Sequence, residues 1–388
     1  MSNQIPRFLL VQVITPRDQE IQIAAHLAET QQLVSTFGGI VVDKLVQRRQ
    51  HPDPNMYIGP GKLEELTRQV KDLDINVVVI NAEVRPSQLF RIEKTLWEVD
   101  PNIKVWDRVD LILAIFDRHA TTKVSKLQIE LARITHLGPR IYGLGGTVLS
   151  RQGGGIGQRG GFGETNIEFE RRLMKTRRQK IEKELKVVIR QKQDRFHHRR
   201  EQGFGPVALV GYTSAGKTTL FNRLTGKQKL THGGLFTTLD TVVGRLKLPD
   251  QRFPILISDT IGFIDALPPD LIEAFKSTLM ESLEAKLLLH LVDVASPNWL
   301  TKLQVVDQIL TALNSHQPII YVLNKSDLIT PADKEQIVTQ IDQLISDRNQ
   351  LTSDPNHYSY LLISARTGEG VGDLKTSITH HLIPASTH

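Results

Sequence analysis

The sequence predicts an α/β protein in three parts. An N-terminal parallel α/β domain is expected over residues 1–106, a helical hairpin with a glycine-rich loop over 107–202, and a phosphate-loop (P-loop) α/β domain over 203–388. Three observations predict it. Short apolar runs alternate with amphipathic stretches at both ends of the chain, the pattern of a parallel sheet with helices on its faces. Residues 165–202 contain neither proline nor glycine and follow a glycine-rich segment. A glycine loop stands between the apolar run Val207–Val210 and the helical stretch Lys217–Leu224.

In the first part, Phe8–Ile14 reads as a buried strand and Glu20–Thr36 as a helix with Ile23, Leu27 and Val34 on one face. Gly38-Gly39 stops that helix and Ile40–Val46 is the next strand. The polar segment Gln47–Pro60 is a loop, followed by a helix (Gly61–Asp72), a strand (Val77–Ile80), a helix (Pro86–Leu96) and a short strand (Lys104–Trp106). YIGPGK, Tyr57–Lys62, reads as a helix-capping turn in preference to a phosphate contact. Nothing here has the look of catalytic chemistry.

From Arg108 the pattern turns helical, with apolar periodicity over Leu111–Phe116 and Val124–Leu137. The segment Leu149–Glu164, LSRQGGGIGQRGGFGE, is either a flexible linker or a loop whose backbone, Arg151 and Arg159 close on a phosphate backbone. In the long helix 165–202, Leu173, Ile181, Leu185, Val188 and Phe196 form one narrow stripe, and basic residues crowd the remainder. Such a stripe pairs with a neighbouring helix, for which 124–137 is the candidate. The basic face is either solvated surface or an RNA-facing one. His197-His198 lacks the one-face spacing of a metal pair and reads as surface.

The third part carries four motifs, each at the carboxyl end of an apolar run. GYTSAGKTTL, Gly211–Leu220, has the spacing G-x-x-x-x-G-K-[ST]. Gly211 and Gly216 permit the turn, successive N–H groups point at an anion, and the helix N-terminus adds its positive end. Lys217 is placed to reach the outer phosphates and the Thr218 hydroxyl to ligate magnesium. DTIGF, from Asp259, puts a carboxylate where it can hold magnesium through water, and the Gly262 N–H where it can touch a γ-phosphate. NKSD, Asn324–Asp327, supplies a carboxylate that accepts from N1–H and the exocyclic amine of guanine, donors that adenine lacks. In SARTGEG, from Ser364, the Ala365 N–H can meet the guanine carbonyl. Open α/β sheets bind ligands at such strand ends, so this part is read as a P-loop GTPase domain. In the loop THGGLFTTLDT, Thr231–Thr241, a threonine can swing in to ligate magnesium when the γ-phosphate is present. Further on, Val243–Leu248 and Ile255–Ile257 resemble a hairpin pair. Helices are expected over Leu271–Leu283, Trp299–Leu313, Lys334–Ile345 and Val371–Leu382, and a core strand over Leu287–Val292, whose His290 reads as a packed histidine.

Composition narrows the classes. A hydrophobic content of 40% and a charged content of 23% are ordinary for a globular protein. The absence of cysteine excludes disulfides, thiolate metal sites, prenylation and palmitoylation. No signal peptide or membrane anchor is expected, and cytoplasmic residence follows. The net charge of +6 leans mildly towards a polyanionic partner.

With these residues in view, the chain resembles the HflX family of ribosome-associated GTPases. The resemblance rests on YIGPGKLEEL near Tyr57, WDRVDLILAIFDRHATTKVSKLQIELA from Trp106, GGGIGQRGGFGET from Gly153, GYTSAGKTTL, LFTTLD, DTIGFI, NKSD and SARTGEG, and covers nearly the whole length. It implies a GTP-hydrolysing monomer, with GTP and GDP as ligands and Mg2+ as cofactor. It further implies a factor that binds the large ribosomal subunit, ribosomal RNA included, and splits or rescues stalled ribosomes under stress. The implied nucleotide-binding set is Gly211, Tyr212, Thr213, Ser214, Ala215, Gly216, Lys217, Thr218, Thr219, Phe236, Thr237, Thr238, Asp259, Thr260, Ile261, Gly262, Asn324, Lys325, Asp327, Ser364, Ala365 and Arg366. Lys217, Thr238 and Gly262 are the catalytic candidates, and Thr218 and Thr238 the metal ligands.

The chain departs from the family in two places. Where the family carries R-G-P-G-E, this chain has Arg159-Gly-Gly-Phe-Gly163-Glu164. Where the family follows TLD with Pro-Thr, this chain has Thr241-Val242, so the magnesium threonine is placed at Thr238, with Thr237 as the alternative. Phe263 stands where many GTPases place a water-orienting glutamine. Two other readings stay open at this point: a GTPase coupled to RNA modification, and a regulatory GTPase with a protein partner.

Overall fold

Runs of apolar residues build two sheets, each in its own compact unit, Met1–Lys186 and Val187–His388. The computed structural model describes residues 5–16, 18, 20–144, 166–201, 206–227, 235–236, 242–246, 255–260, 262–264, 271, 275, 284–350 and 357–382. Among the described residues no helix is long and apolar enough to cross a membrane.

The first unit holds β1 (Arg7–Ile14), α1 (Glu20–Phe37), β2 (Ile40–Arg48), α2 (Pro60–Asp72), β3 (Val77–Ile80), α3 (Pro86–Leu96), β4 (Lys104–Asp107), α4 (Arg108–His119) and α5 (Lys123–Leu144), in that order. The strands lie in the order β2-β1-β3-β4, all parallel. Strands covered on both faces have no use for polar alternation, and β3, VVVI, is buried at every residue. Leu9, Val11, Val78, Ile80 and Val105 pack against Leu66, Val70, Leu89, Ile92 and Leu96 of α2 and α3. YIGPGK caps α2, as expected: Gly59 is the N-cap residue and Pro60 the first helical one, where its missing N–H costs nothing. At α4 the cap is reciprocal. Asp110 N–H donates to Asp107 Oδ1 at 2.8 Å, and Asp107 N–H to Asp110 Oδ2 at 3.2 Å.

The long helix α6 (Asn166–Glu201) begins in this unit. Its expected neighbour is confirmed. Arg177 forks onto Glu130 of α5 with Nε–Oε1 at 2.6 Å and Nη2–Oε2 at 2.7 Å, and Lys123 Nζ lies 3.2 Å from Glu184. The apolar stripe is shorter than predicted. Ile181 and Leu185 are buried, whereas Leu173 is 60% exposed, one turn before Arg177. The glycine loop 149–164 and the side chains of Phe196, His197 and His198 lie outside the described residues.

In the second unit the elements are β5 (Pro206–Gly211), α7 (Lys217–Thr225), β6 (Val242–Leu246), β7 (Ile255–Asp259), β8 (Leu287–Asp293), α8 (Trp299–Ala312), β9 (Ile319–Asn324), a 3-10 turn (Ser326–Leu328), α9 (Pro331–Asn349), β10 (Tyr358–Leu362) and α10 (Val371–Leu382). The sheet order is β10-β9-β8-β5-β7-β6, parallel except for β6, which pairs antiparallel with β7 as the predicted hairpin. Strands β5 and β9 are buried throughout. The helix expected over 271–283 falls outside the described residues apart from Leu271 and Phe275.

His290 is a packed histidine, as predicted. It is 1% exposed, and its Nδ1 lies 3.1 Å from Asp307 Oδ1. Asp307 also accepts from Tyr321 Oη at 3.2 Å and pairs with Arg348 at 2.6 Å. One carboxylate thus ties α8, β8, β9 and α9 together.

Candidate functional site

The carboxyl ends of β5, β7, β8, β9 and β10 converge on the four motifs. The chain leaves β5 through two glycines that cannot be replaced freely. Gly211 has φ +146°, and a Cβ there would come within 2.3 Å of the Leu291 carbonyl oxygen. Gly216 has φ +95°, and a Cβ there would meet Asn324 Nδ2 at 2.3 Å. Both belong to the conformations and close approaches that glycine alone makes cheap. Between them Tyr212, Thr213 and Ala215 are buried, while Ser214 is exposed with a left-handed φ of 60°. α7 then starts at Lys217, with Thr218 and Thr219 half-buried on its first turn.

Lys217 is 6% exposed, and its Nζ donates to the Gly211 carbonyl at 3.0 Å and the Tyr212 carbonyl at 2.7 Å. Burial pulls its pKa down to about 8, with the charge of Asp259 opposing the shift. Thr218 Oγ1 donates to Asp259 Oδ2 at 3.0 Å, so a hydroxyl from α7 and a carboxylate from the end of β7 share one corner. Thr260 Oγ1 is buried and donates to the Leu209 carbonyl at 2.6 Å, which fixes the strand end beside β5. Gly262 lies against this corner: a Cβ there would approach Lys217 Nζ at 3.1 Å and Thr213 Cγ2 at 3.0 Å. Phe263 is 2% exposed. Its N–H donates to the Gly211 carbonyl at 3.1 Å and its carbonyl accepts from Thr213 N–H at 2.7 Å. The ring is part of the core and the backbone is pinned to the phosphate loop, so this side chain orients no water.

The other end of the site is built from β9 and β10. Asn324, 2% exposed, donates from Nδ2 to the Ala215 carbonyl at 2.8 Å and accepts at Oδ1 from Ala365 N–H at 2.8 Å. The Ala365 amide was expected to face a guanine carbonyl. In this arrangement it is committed to Asn324, which bridges the first motif to the last. Ser364 Oγ donates to Asp327 Oδ1 at 2.7 Å, and this hydrogen bond holds the Asp327 carboxyl below the usual carboxylate range. Arg366 Nε lies 3.6 Å from Asp327 Oδ2, with its side chain 80% exposed. Lys325, left-handed at φ 70°, pairs with Asp293 Oδ2 at 2.6 Å.

The structure therefore brings together Gly211–Thr219, Asp259, Thr260, Gly262, Asn324, Lys325, Asp327, Ser364, Ala365 and Arg366 at one sheet edge. Phe236 is buried with φ 57°. Thr237, Thr238 and Ile261 lie outside the described residues. Sequence reasoning missed two participants. Asp293 carried a usable signal, since an acid directly after the core run of β8 stands at a strand's carboxyl end as Asp259 does. Arg223 carried none. Its Nε donates to the Ala365 carbonyl at 2.8 Å and its Nη2 to the Arg366 carbonyl, contacts across more than a hundred residues of sequence.

Comparison with known proteins adds the following. The family described as GTP-binding GTPase N-terminal matches residues 24–117, GTP-binding GTPase Middle Region matches 119–199, and 50S ribosome-binding GTPase matches 206–325. The chain is 40% identical over 352 residues to a GTPase HflX of Caldanaerobacter subterraneus subsp. tengcongensis, covering 90% of this chain and 78% of that protein. It is 35% identical over 375 residues to the GTPase HflX of Escherichia coli K12, covering 96% and 82%. Among solved structures, SsGBP in complex with GDP is similar at 26% identity with a TM-score of 0.54, covering 96% of this chain and 98% of that one.

Proposed function

The chain belongs to the HflX family of GTPases, and from that premise we propose that it is a GTP-hydrolysing factor that binds the large ribosomal subunit and separates or rescues stalled ribosomes under stress. The observation that carries the ribosomal part is the match of residues 206–325 to a family described as 50S ribosome-binding GTPase. The exposed bases of α6, among them Arg171, Arg172, Lys175, Lys180, Lys183 and Arg190, support an RNA partner. In this reading the protein works as a monomer in the cytoplasm, and residues 1–106, 107–202 and 203–388 are its functional parts.

The residue roles in this reading are these, and the geometry around Lys217, Asp259 and Asp327 supports them. Lys217 neutralises the β- and γ-phosphates, the Gly262 N–H meets the γ-phosphate, and Asp327 reads guanine while Ser364 holds its carboxylate in place. Magnesium fits the donors present, because Thr218 Oγ1 and Asp259 Oδ2 lie 3.0 Å apart and are both hard oxygen ligands. Thr218 and Thr238 would hold it directly and Asp259 through water. When bound, it would supply positive charge that offsets the charge developing on the phosphate oxygens. Water attacks the γ-phosphorus, and GDP and phosphate leave. Phe263, locked in the core, gives that water no hydrogen bond, so turnover is slow until a partner supplies the missing orientation.

The test is GTP turnover with and without purified large ribosomal subunits, with ATP in parallel. Strong stimulation confined to GTP is expected. Turnover indifferent to the subunit would overturn the ribosomal reading and leave the GTPase assignment standing.

A further inference from the structure

Arg223 lies outside all four motifs, on the helix that the phosphate-binding residues open. α7 begins with Lys217 and Thr218, and Arg223 follows almost two turns later. From there its guanidinium reaches the loop after β10 and donates to two successive carbonyls, Ala365 through Nε at 2.8 Å and Arg366 through Nη2. The same Ala365 gives its N–H to Asn324 Oδ1 at 2.8 Å, and Asn324 in turn grips the Ala215 carbonyl. Ala365 is therefore held on both polar groups, and each anchor leads back to the phosphate loop or its helix. The loop also closes tightly around the guanidinium. Gly368 has φ +99°, and a Cβ there would come within 2.4 Å of Arg223 Nη1.

We propose that Arg223 is a positioning residue for base recognition: it holds the Ser364–Arg366 segment at the height from which Ser364 orients Asp327 towards guanine. The inference rests on the guanine-nucleotide reading above. A planar, fork-shaped donor suits the task, because two carbonyls one residue apart are bridged by one rigid group. A lysine ammonium can reach two such carbonyls, as Lys217 does, but it has no rigid fork to fix their spacing. The consequence is that selectivity for the base depends on a side chain that touches neither base nor phosphate.

The experiment uses the full chain with three variants, Arg223→Ala, Arg223→Lys and Gly368→Ala. Three quantities are read: the dissociation rate of a fluorescent GDP, the preference for GTP over ATP, and the affinity for inorganic tripolyphosphate, which has no base. Arg223→Ala is expected to speed GDP release roughly tenfold, the scale of losing charge-assisted hydrogen bonds that are partly exposed, and to erode the GTP preference by a similar factor. Tripolyphosphate binding should stay as it is. Arg223→Lys should fall between, and Gly368→Ala should mimic Arg223→Ala by displacing the guanidinium. Unchanged GDP release in both Arg223→Ala and Gly368→Ala overturns the inference. So does an equal loss of GDP and tripolyphosphate affinity, which would mark a general weakening of the fold. A wild-type chain that did not prefer GTP to ATP would instead overturn the guanine reading itself.

Discussion

A buried cation stands at the carboxyl end of the parallel strands in each sheet, and the two are held in different ways. Arg108, 5% exposed, follows β4. It pairs with Glu29 of α1 and donates to Thr30 Oγ1 at 2.9 Å and Asn81 Oδ1 at 3.2 Å, while Asn81 Nδ2 continues to Gln12 Oε1 at 2.7 Å. The network gathers residues from the ends of β1, β3 and β4 and answers its own charge. Lys217, 6% exposed after β5, donates to two backbone carbonyls, which are dipoles and carry no net charge. A buried charge is costly unless it is paired, so Arg108 is answered within the protein, whereas Lys217 is left to the phosphates proposed for it. In this molecule a direct ion pair with the protein's own carboxylate distinguishes Arg108 from Lys217, on which Asp259 acts without such a pair.

The largest effect expected from this contrast is on turnover. Lys217→Ala should lower GTP hydrolysis at least about a hundredfold, since the charge that meets the transferring phosphoryl group is gone. Stability should change by no more than about 1 kcal/mol, because the exposed acceptors keep partners and a desolvated ammonium is removed. The Gly211 carbonyl retains Phe263 N–H at 3.1 Å, and the Tyr212 carbonyl retains Ala215 N–H at 3.4 Å. Steady-state kinetics and urea unfolding measure the two halves. A variant that kept its turnover would sink the role given to Lys217.

Arg108→Ala should do the reverse. It removes the Arg108 partner of Glu29, whose side chain is only 13% exposed, and breaking a buried pair costs about 3–5 kcal/mol. Trp97 and Trp106 report on the first unit and Trp299 on the second, so tryptophan fluorescence in urea should show the first unit unfolding earlier. Turnover per folded molecule should be preserved. Replacing both partners, Arg108→Met with Glu29→Met, should recover most of the loss. If Arg108→Ala proved as stable as the parent, the network would not be the structural device described here.

Lys217 was legible in the sequence and Arg108 was not, for a physical reason. The spacing around Lys217 is local: strand, glycine loop and helix start lie within fourteen residues, Val207–Leu220, and each dictates the next. Arg108 reads as one more residue opening a helix. Its meaning depends on Glu29, 79 residues earlier, and on Asn81 after another strand, and such pairings leave no periodicity to detect. The same division runs through the rest of the molecule. The strands β1, β3, β5 and β9 could be read from their apolar runs, and the motifs from their position after them. The commitment of Ala365 N–H to Asn324 could not, because it is set by how β9 and β10 are juxtaposed. Leu173 fitted the helical period of α6 yet remains exposed, since periodicity gives a face and not the length of the partner that covers it.

A pH series sharpens the contrast further. Burial holds Lys217 at about 8 against 10.5 in an unfolded chain, so between those values the unfolded state binds more protons than the folded one. The second unit, without nucleotide, should therefore gain stability as pH rises from about 8 to 10.5. Nucleotide affinity should run the other way and fall as pH passes about 8, because phosphates bind the ammonium and not the amine. Fluorescence titration of GDP from neutral to alkaline pH checks the sign. Affinity that stayed level across that range would mean that Lys217 keeps its proton by some other means.

The smallest effect belongs to a third kind of cation, the exposed one. Arg177 makes a bidentate pair with Glu130 at 2.6 Å, better geometry than many buried pairs have, but the two side chains are 45% and 38% exposed. Water competes for both partners and salt screens them, so exposed pairs add little whatever their distance. The buried residues of α6, Ile181 and Leu185, matter more, and truncating Ile181 to alanine should cost about 2–5 kcal/mol. Arg177→Ala should leave the urea midpoint of the first unit within experimental scatter, and any residual difference from the parent should vanish in 1 M salt, where the screening length is about 3 Å. A clear, salt-independent loss would show that the pair is shielded from solvent in a way its exposure does not reveal. Arg177 would then belong with Arg108 as a structural cation.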